Sequence, residues 1–211
     1  MNRPSFFRSL IVGMTTAVVI SHSLSSASAA GPADQRISVR GTVIALNSNK
    51  LEVKSRDGTN IIVSLAPGWA ASAVVKATIE DIKPGGYVGI ASLPTSEGGD
   101  GALEVLIFPP PLKGTAEGSF AYDLKPRSTM TNATVADAVK SVSGSVVTVN
   151  FHGQEKKISI PQGTPVVTLA PATPDDVKPG SVIFIPALKG ADGSISAGNV
   201  IVGKDGVVPP M

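Results

Sequence analysis

Asp81-Ile82-Lys83-Pro84-Gly85 returns as Asp176-Val177-Lys178-Pro179-Gly180, a shift of 95 residues. The same shift carries Gly58 to Gly153, Val63 to Ile158, Leu65 to Ile160 and Gly68 to Gly163. It also carries Val88 to Ile183 and Ile90 to Ile185. With small gaps, Val39 and Val43 match Val135 and Val139, Leu51 and Val53 match Val147 and Val149, and Asp100-Gly101 matches Asp192-Gly193. Turns fall on turns and apolar positions on apolar positions, in order, which is the mark of an internal duplication.

Outward from that motif, each copy reads as short strands separated by turn residues. In the first copy, residues 39–46, 50–55 and 59–65 are joined by Asn47-Ser48-Asn49 and Asp57-Gly58, both hairpin connections. The alternation of Leu51 with Val53, and of Ile61 with Val63 and Leu65, sends one face of each strand to a common core. Residues 66–82 form a mixed connection that ends in a short helical turn before the Lys-Pro-Gly. Residues 87–92 and 102–108 complete the unit. The second copy repeats it through 135–141, 147–151, 157–160, 182–186 and 194–202. Pro165 to Leu169 has the look of a strand. The expectation is an all-β protein of two tandem small barrels with short helical turns, since closure removes exposed strand edges. The first barrel repeat spans 36–108 and the second 133–205. Residues 109–132 form an ordered linker and 206–211 a C-terminal tail.

The amino terminus sets the compartment. Arg3 and Arg8 precede an apolar run over residues 10–20, and Ala27-Ser28-Ala29 follows among small residues. That order reads as a secretory signal peptide over residues 1–29, and the run is short for a membrane span. The expected location is the periplasm or the exterior, with no membrane span after cleavage. The remaining chain carries 16 basic and 16 acidic residues, no cysteine and one histidine. It has neither a basic footprint for nucleic acid nor the thiolate and imidazole ligands of ordinary zinc sites, and no cofactor is expected. His152 reads as a turn residue. The acidic residues Glu80, Asp81, Asp100, Asp175, Asp176 and Asp192 read as caps of turns.

The repeat pattern is G-T-V, L-x-V, D-G, D-[IV]-K-P-G and D-G-x-[LI]. With 105–109 (VLIFP), 114–118 (GTAEG), Tyr122-Asp123-Leu124 and 128–135 (STMTNATV), the chain resembles a proteobacterial group of exported proteins. Members carry two copies of a domain of unknown function. The resemblance implies small barrels like the oligonucleotide/oligosaccharide-binding (OB) fold. Members often go under the name of metal transporter permease, which a chain without membrane spans does not fit.

The unduplicated stretch between the copies holds aromatic and charged residues that a bare spacer does not need. It is expected to pack in a seam between the barrels, with Phe120 and Tyr122 partly buried and Asp123 and Arg127 close enough to pair, or to bond free backbone groups where the chain turns. Trp69, Glu117, Phe120, Tyr122, Asp123 and Arg127 are the candidate residues of a ligand site or inter-domain seam. The leading reading is a non-enzymatic binding or scaffold protein for an unknown protein or cell-envelope component. The alternatives are an envelope carbohydrate hydrolase using carboxylates of the central cleft, and a periplasmic ion-handling accessory protein.

Overall fold

The computed structural model describes residues 34–141 and 144–209. The signal peptide expected over 1–29 lies outside them. The described chain is all-β, with twelve strands and three single helical turns. In chain order the strands are β1 (Gln35–Asn47), β2 (Lys50–Ser55), β3 (Asn60–Lys76), β4 (Tyr87–Pro94), β5 (Asp100–Phe108), β6 (Gly118–Tyr122), β7 (Ser128–Ser141), β8 (Gly144–Phe151), β9 (Gln154–Pro161), β10 (Val166–Pro171), β11 (Val182–Lys189) and β12 (Ile195–Gly203). The alternation read from the sequence sets the pleat: Leu51 and Val53 are buried while Lys50 and Lys54 face solvent. Asp57 turns the chain between β2 and β3 by accepting the Thr59 N–H at 2.9 Å.

The pairings close two five-stranded rings. The first runs β1–β2–β3–β12–β11 and back to β1. The second runs β7–β8–β9–β5–β4 and back to β7. In each ring one contact is parallel, β3 with β12 and β5 with β9, and the others are antiparallel. This is the small Greek-key barrel of OB type. Neither ring is built from one repeat. The first takes three strands from the first repeat and two from the second, and the second ring reverses the loan. The contiguous boundaries 36–108 and 133–205 therefore follow the duplication along the chain, while the barrels interlace it.

The interlacing is symmetric. Ser64 pairs with Ser196, and the residues 95 later and earlier, Ser159 and Gly101, also pair. Ala71 with Val200 corresponds in the same way to Val166 with Val105. Between the rings, antiparallel β3 and β10 set Val74 opposite Leu169. These two are themselves equivalent under the 95-residue shift, so a local two-fold passes through their pair. The Lys-Pro-Gly turns lock the exchange. The Gly180 N–H donates to the Val43 carbonyl at 2.9 Å, and the Gly85 N–H donates to that of Val135 at 2.8 Å. Each turn thus caps the first strand of the other repeat. Thr78 and Thr173 start the preceding helical turns, with Asp81 and Asp176 accepting their N–H groups at 2.9 and 2.8 Å. Both acids are caps, as read from the sequence.

Two details of the sequence alignment change. Val43 corresponds to Val135, not Val139: both are buried, whereas Val139 is 56% exposed. The extra residues of the second copy lie in the β7–β8 connection, so the first strands match at a shift of 92 residues. The stretch 66–82 is also mostly strand. β3 continues through Pro67 and Gly68, whose φ of 71° bends it, and runs on to Lys76.

Each barrel has its own core, and a third cluster joins them. Val39, Leu51 and Val63 meet Ile183, Ile185 and Val202 inside the first ring. Val88, Ile90 and Val105 meet Val135, Val149 and Ile158 inside the second. The joining cluster is Val74, Leu106, Val167, Phe184 and Ile201, with Phe108 and Val207 packed against it. The tail is held over this cluster: the Lys204 N–H donates to the Val74 carbonyl at 3.0 Å, and Arg56 donates to the Pro209 carbonyl at 3.0 Å.

Candidate binding cleft

The linker crosses the outside of both barrels. Its first part is fixed to the second barrel: the Tyr87 hydroxyl donates to the Thr115 carbonyl at 3.1 Å and the Asn132 amide to that of Ala116 at 3.2 Å. Glu117 accepts the His152 backbone N–H at 2.9 Å, which ties the start of β6 to the β8–β9 turn. β6 then adds antiparallel to β7, with Gly118 opposite Asn132 and Tyr122 opposite Ser128. At its far end Asp123 reaches the first barrel and accepts a hydrogen bond from Arg40 of β1 at 2.8 Å.

Between β6 and the β1–β11 face lies a cleft of about 570 Å³. Arg36, Ile37 and Ser38 form one wall and Phe120, Tyr122 and Asp123 another. Phe184, Pro186 and Leu188 of β11 form its floor. Phe120 is 43% exposed and Leu188 41%, so apolar surface stands open beside an ion pair. The Arg40 guanidinium lies 5.0 Å from the Phe184 ring centroid and 5.4 Å from that of Tyr122. Such stacking favours a cation over an aromatic face.

Behind the cleft is a charged group the sequence reading missed. Glu104 of β5 is 2% exposed, and its Oε1 has no hydrogen-bond partner among the described residues. Burial pushes its carboxyl up to about 7, against the opposing pull of the Arg40 and Arg56 charges. The Tyr122 hydroxyl is pushed up to about 12, first by burial and then by Glu104, with Arg40 opposing. Burial works against the Arg40 charge, but Asp123 and the Tyr122 hydroxyl outweigh it and hold it above its ordinary value. Burial and the neighbouring Arg40 lower that of Arg56. The signal for Glu104 was available: it interrupts the apolar run 102–108.

Of the sequence-selected residues, Phe120, Tyr122 and Asp123 line this cleft. Trp69 does not join them: it packs against the core of the first barrel. Arg127 is exposed at a turn with φ 65°, and Asp123 pairs with Arg40 in its place. Glu117 serves as a clamp on the linker. Phe120 is more open than a seam residue, while Tyr122 is half-buried as expected. Asp123 is the one carboxylate lining the cleft, and it is neutralised by Arg40. Among the described residues no three His, Cys, Asp or Glu side chains gather as a metal site. Among the described residues no helix is long and apolar enough to cross a membrane.

A larger cleft of about 790 Å³ lies by residues 76–80 and 160–167. It has no aromatic lining residue, and its charged groups are Lys76 and Glu80. It contains none of the sequence-selected residues.

The Tyr122 anchor has a measurable consequence. Tyr122→Ala removes its apolar body and its bond to Arg40, an expected loss of about 2–4 kcal/mol. Limited proteolysis should leave residues 114–132 uncut in the unaltered protein and cut them early in the variant. Comparison with protein-family profiles, curated proteins and solved structures gave no match to this chain.

Proposed function

We propose that the protein is a non-enzymatic binding or scaffold protein of the periplasm or exterior, and that it takes its ligand in the cleft between β6 and the β1–β11 face. The observation that carries this reading is the open apolar surface of Phe120 and Leu188 beside the Arg40–Asp123 pair, at the junction of two barrels. Ligand sites favour such junctions and combine apolar walls with a few fixed polar groups. The location rests on the signal-like residues 1–29. The hydrolase alternative asks for two carboxylates about 5–10 Å apart across a groove, and Asp123 alone lines this one.

The test is a photo-crosslinking amino acid placed at position 120 of the protein in its host. Illumination should give a discrete adduct with an envelope molecule. The same probe at Ile62, 61% exposed elsewhere on the first barrel, should give none. Equal labelling from both positions, or no adduct from position 120, would remove the cleft as the site.

A further inference from the structure

Resting on that reading of the cleft, we propose that its occupant is an extended peptide segment of a partner protein, added as a strand to the edge of β1 at Arg36–Ser38. The inference comes from comparing equivalent edges of the two barrels. Residues 128–132 of β7 correspond to 36–40 of β1, since Val135 corresponds to Val43. In the second barrel that edge is covered: β6 pairs with it from Ser128 to Asn132. In the first barrel β2 begins to pair only at Gly41, and no strand among the described residues lies beside Arg36 and Ser38 on that side.

The backbone groups there point outward. The Val43 N–H is directed to the Ser181 carbonyl before β11, and the Arg40 carbonyl to the Arg56 N–H on the opposite side. Alternation along a strand then turns the N–H and C=O of Arg36 and Ser38 away from β11, to the open edge of β1. These are the same positions, relative to the barrel, as Ser128 and Met130, which lie opposite Tyr122 and Phe120 of β6, the Ser128 N–H itself donating to the Lys125 carbonyl at 3.0 Å. Unpaired edges recruit strands, and main-chain bonds supply affinity while alternate side chains supply selection.

The walls describe the partner. Phe184, Pro186 and Leu188 offer a floor for an apolar side chain, and Arg36 offers a cation to an acidic one. Asp123, tied to Arg40 and to the Ser38 hydroxyl, closes the end where β2 takes over the edge. A second copy is the poorer occupant: antiparallel pairing of two identical edges would set Arg36 and Arg40 of one copy against those of the other.

The probe is a displayed library of random heptapeptides, selected on the full protein lacking residues 1–29. Selected peptides should carry an apolar and an acidic residue, and N-methylation of alternate backbone positions should weaken them roughly tenfold or more. Ser38→Pro removes the outward N–H while sparing the pairing with β11, a tolerated place for proline on an edge. It also drops the Ser38 hydroxyl bond to Asp123, so Ser38→Ala, which loses the hydroxyl alone, is the control. Ser38→Pro should keep a thermal transition close to that of Ser38→Ala and weaken the peptides to a similar degree as N-methylation, while Ser38→Ala binds them nearly as the parent does. Peptides that bind Ser38→Pro and their N-methylated forms undiminished would overturn the proposal, as would failure to select any. If Ser38→Pro fails to fold, the N-methylated series on the unaltered protein decides alone. A crosslink from position 120 without any such peptide would keep the cleft and remove strand addition. Loss of both would remove both. Edge-to-edge dimers in sedimentation, abolished by Ser38→Pro, would replace the partner by a second copy and likewise refute the proposal.

Discussion

Produced as separate chains, residues 34–108 and 109–209 are each expected to lack a folded monomeric state and to regain structure when mixed. The first fragment holds β1, β2 and β3 of one ring but only β4 and β5 of the other. Without the second repeat, the first barrel loses Ile183, Ile185, Val200 and Val202, all at most 2% exposed. At about 1.5–3 kcal/mol per buried aliphatic side chain, that is roughly 6–12 kcal/mol. Whole domains are stable by only about 5–15 kcal/mol. Circular dichroism of each fragment should show no cooperative thermal transition at low concentration, and the equimolar mixture should show one. A single repeat can fold only by borrowing strands from a second copy of itself, which the local two-fold permits, so any folded fragment should sediment as a dimer. A folded monomer of either fragment would contradict the interlaced barrels.

The second large effect is electrostatic. Glu104 has its folded-state value raised to about 7 from an ordinary 4.5, with burial as the main cause. The sign follows from proton binding. Below the unfolded value both states hold the proton and nothing is lost. Between the two values the folded state holds more protons than the unfolded state, so stability falls as pH rises. Above about 7 the loss is complete, on the order of 3 kcal/mol. Glu104→Gln, which keeps the shape and drops the charge, should unfold at higher urea at pH 8 by roughly 1–3 kcal/mol and differ little at pH 4.5. The caps Asp57, Asp81, Asp176 and Asp192 are held below the usual carboxylate range by their hydrogen bonds, and their stabilisation is lost only as pH falls through those lowered values. The difference between variant and parent therefore isolates Glu104. Parallel profiles for the two proteins would refute this account of the buried carboxyl.

How much of this was legible in the sequence depends on range. The strands, the Asp57 turn and the Thr78–Asp81 cap are local, and alternation or turn chemistry reveals them. The duplication was equally plain. What the repeat could not reveal is which copy's β11 closes which copy's β1, because equivalent strands carry equivalent apolar faces: Ile183 and Ile185 of β11 match Val88 and Ile90 of β4. Self-pairing and exchange bury the same pattern. The same limit hid Arg40. Its partner Asp123 lies 83 positions away, while Arg127 was a near neighbour in the chain and the wrong one. Trp69 was misplaced because residues 66–82 read as a mixed connection, yet β3 carries through Pro67-Gly68 and the indole packs on the first barrel's core.

The exchange of strands can be tested by cross-linking alone, since the chain has no cysteine. Arg36 and Leu188 face each other across β1 and β11. In a non-exchanged arrangement, Arg36 would instead face Leu93, the residue of β4 equivalent to Leu188 at the 95-residue shift. Two double variants, Arg36→Cys with Leu188→Cys and Arg36→Cys with Leu93→Cys, are oxidised as folded monomers, then unfolded in urea and cleaved at a protease site placed in the linker at residue 114. Interlaced barrels predict that the first pair keeps the two halves together on a denaturing gel and that the second pair forms no bond. A bond between positions 36 and 93, with halves that separate after cleavage, would contradict the interlacing.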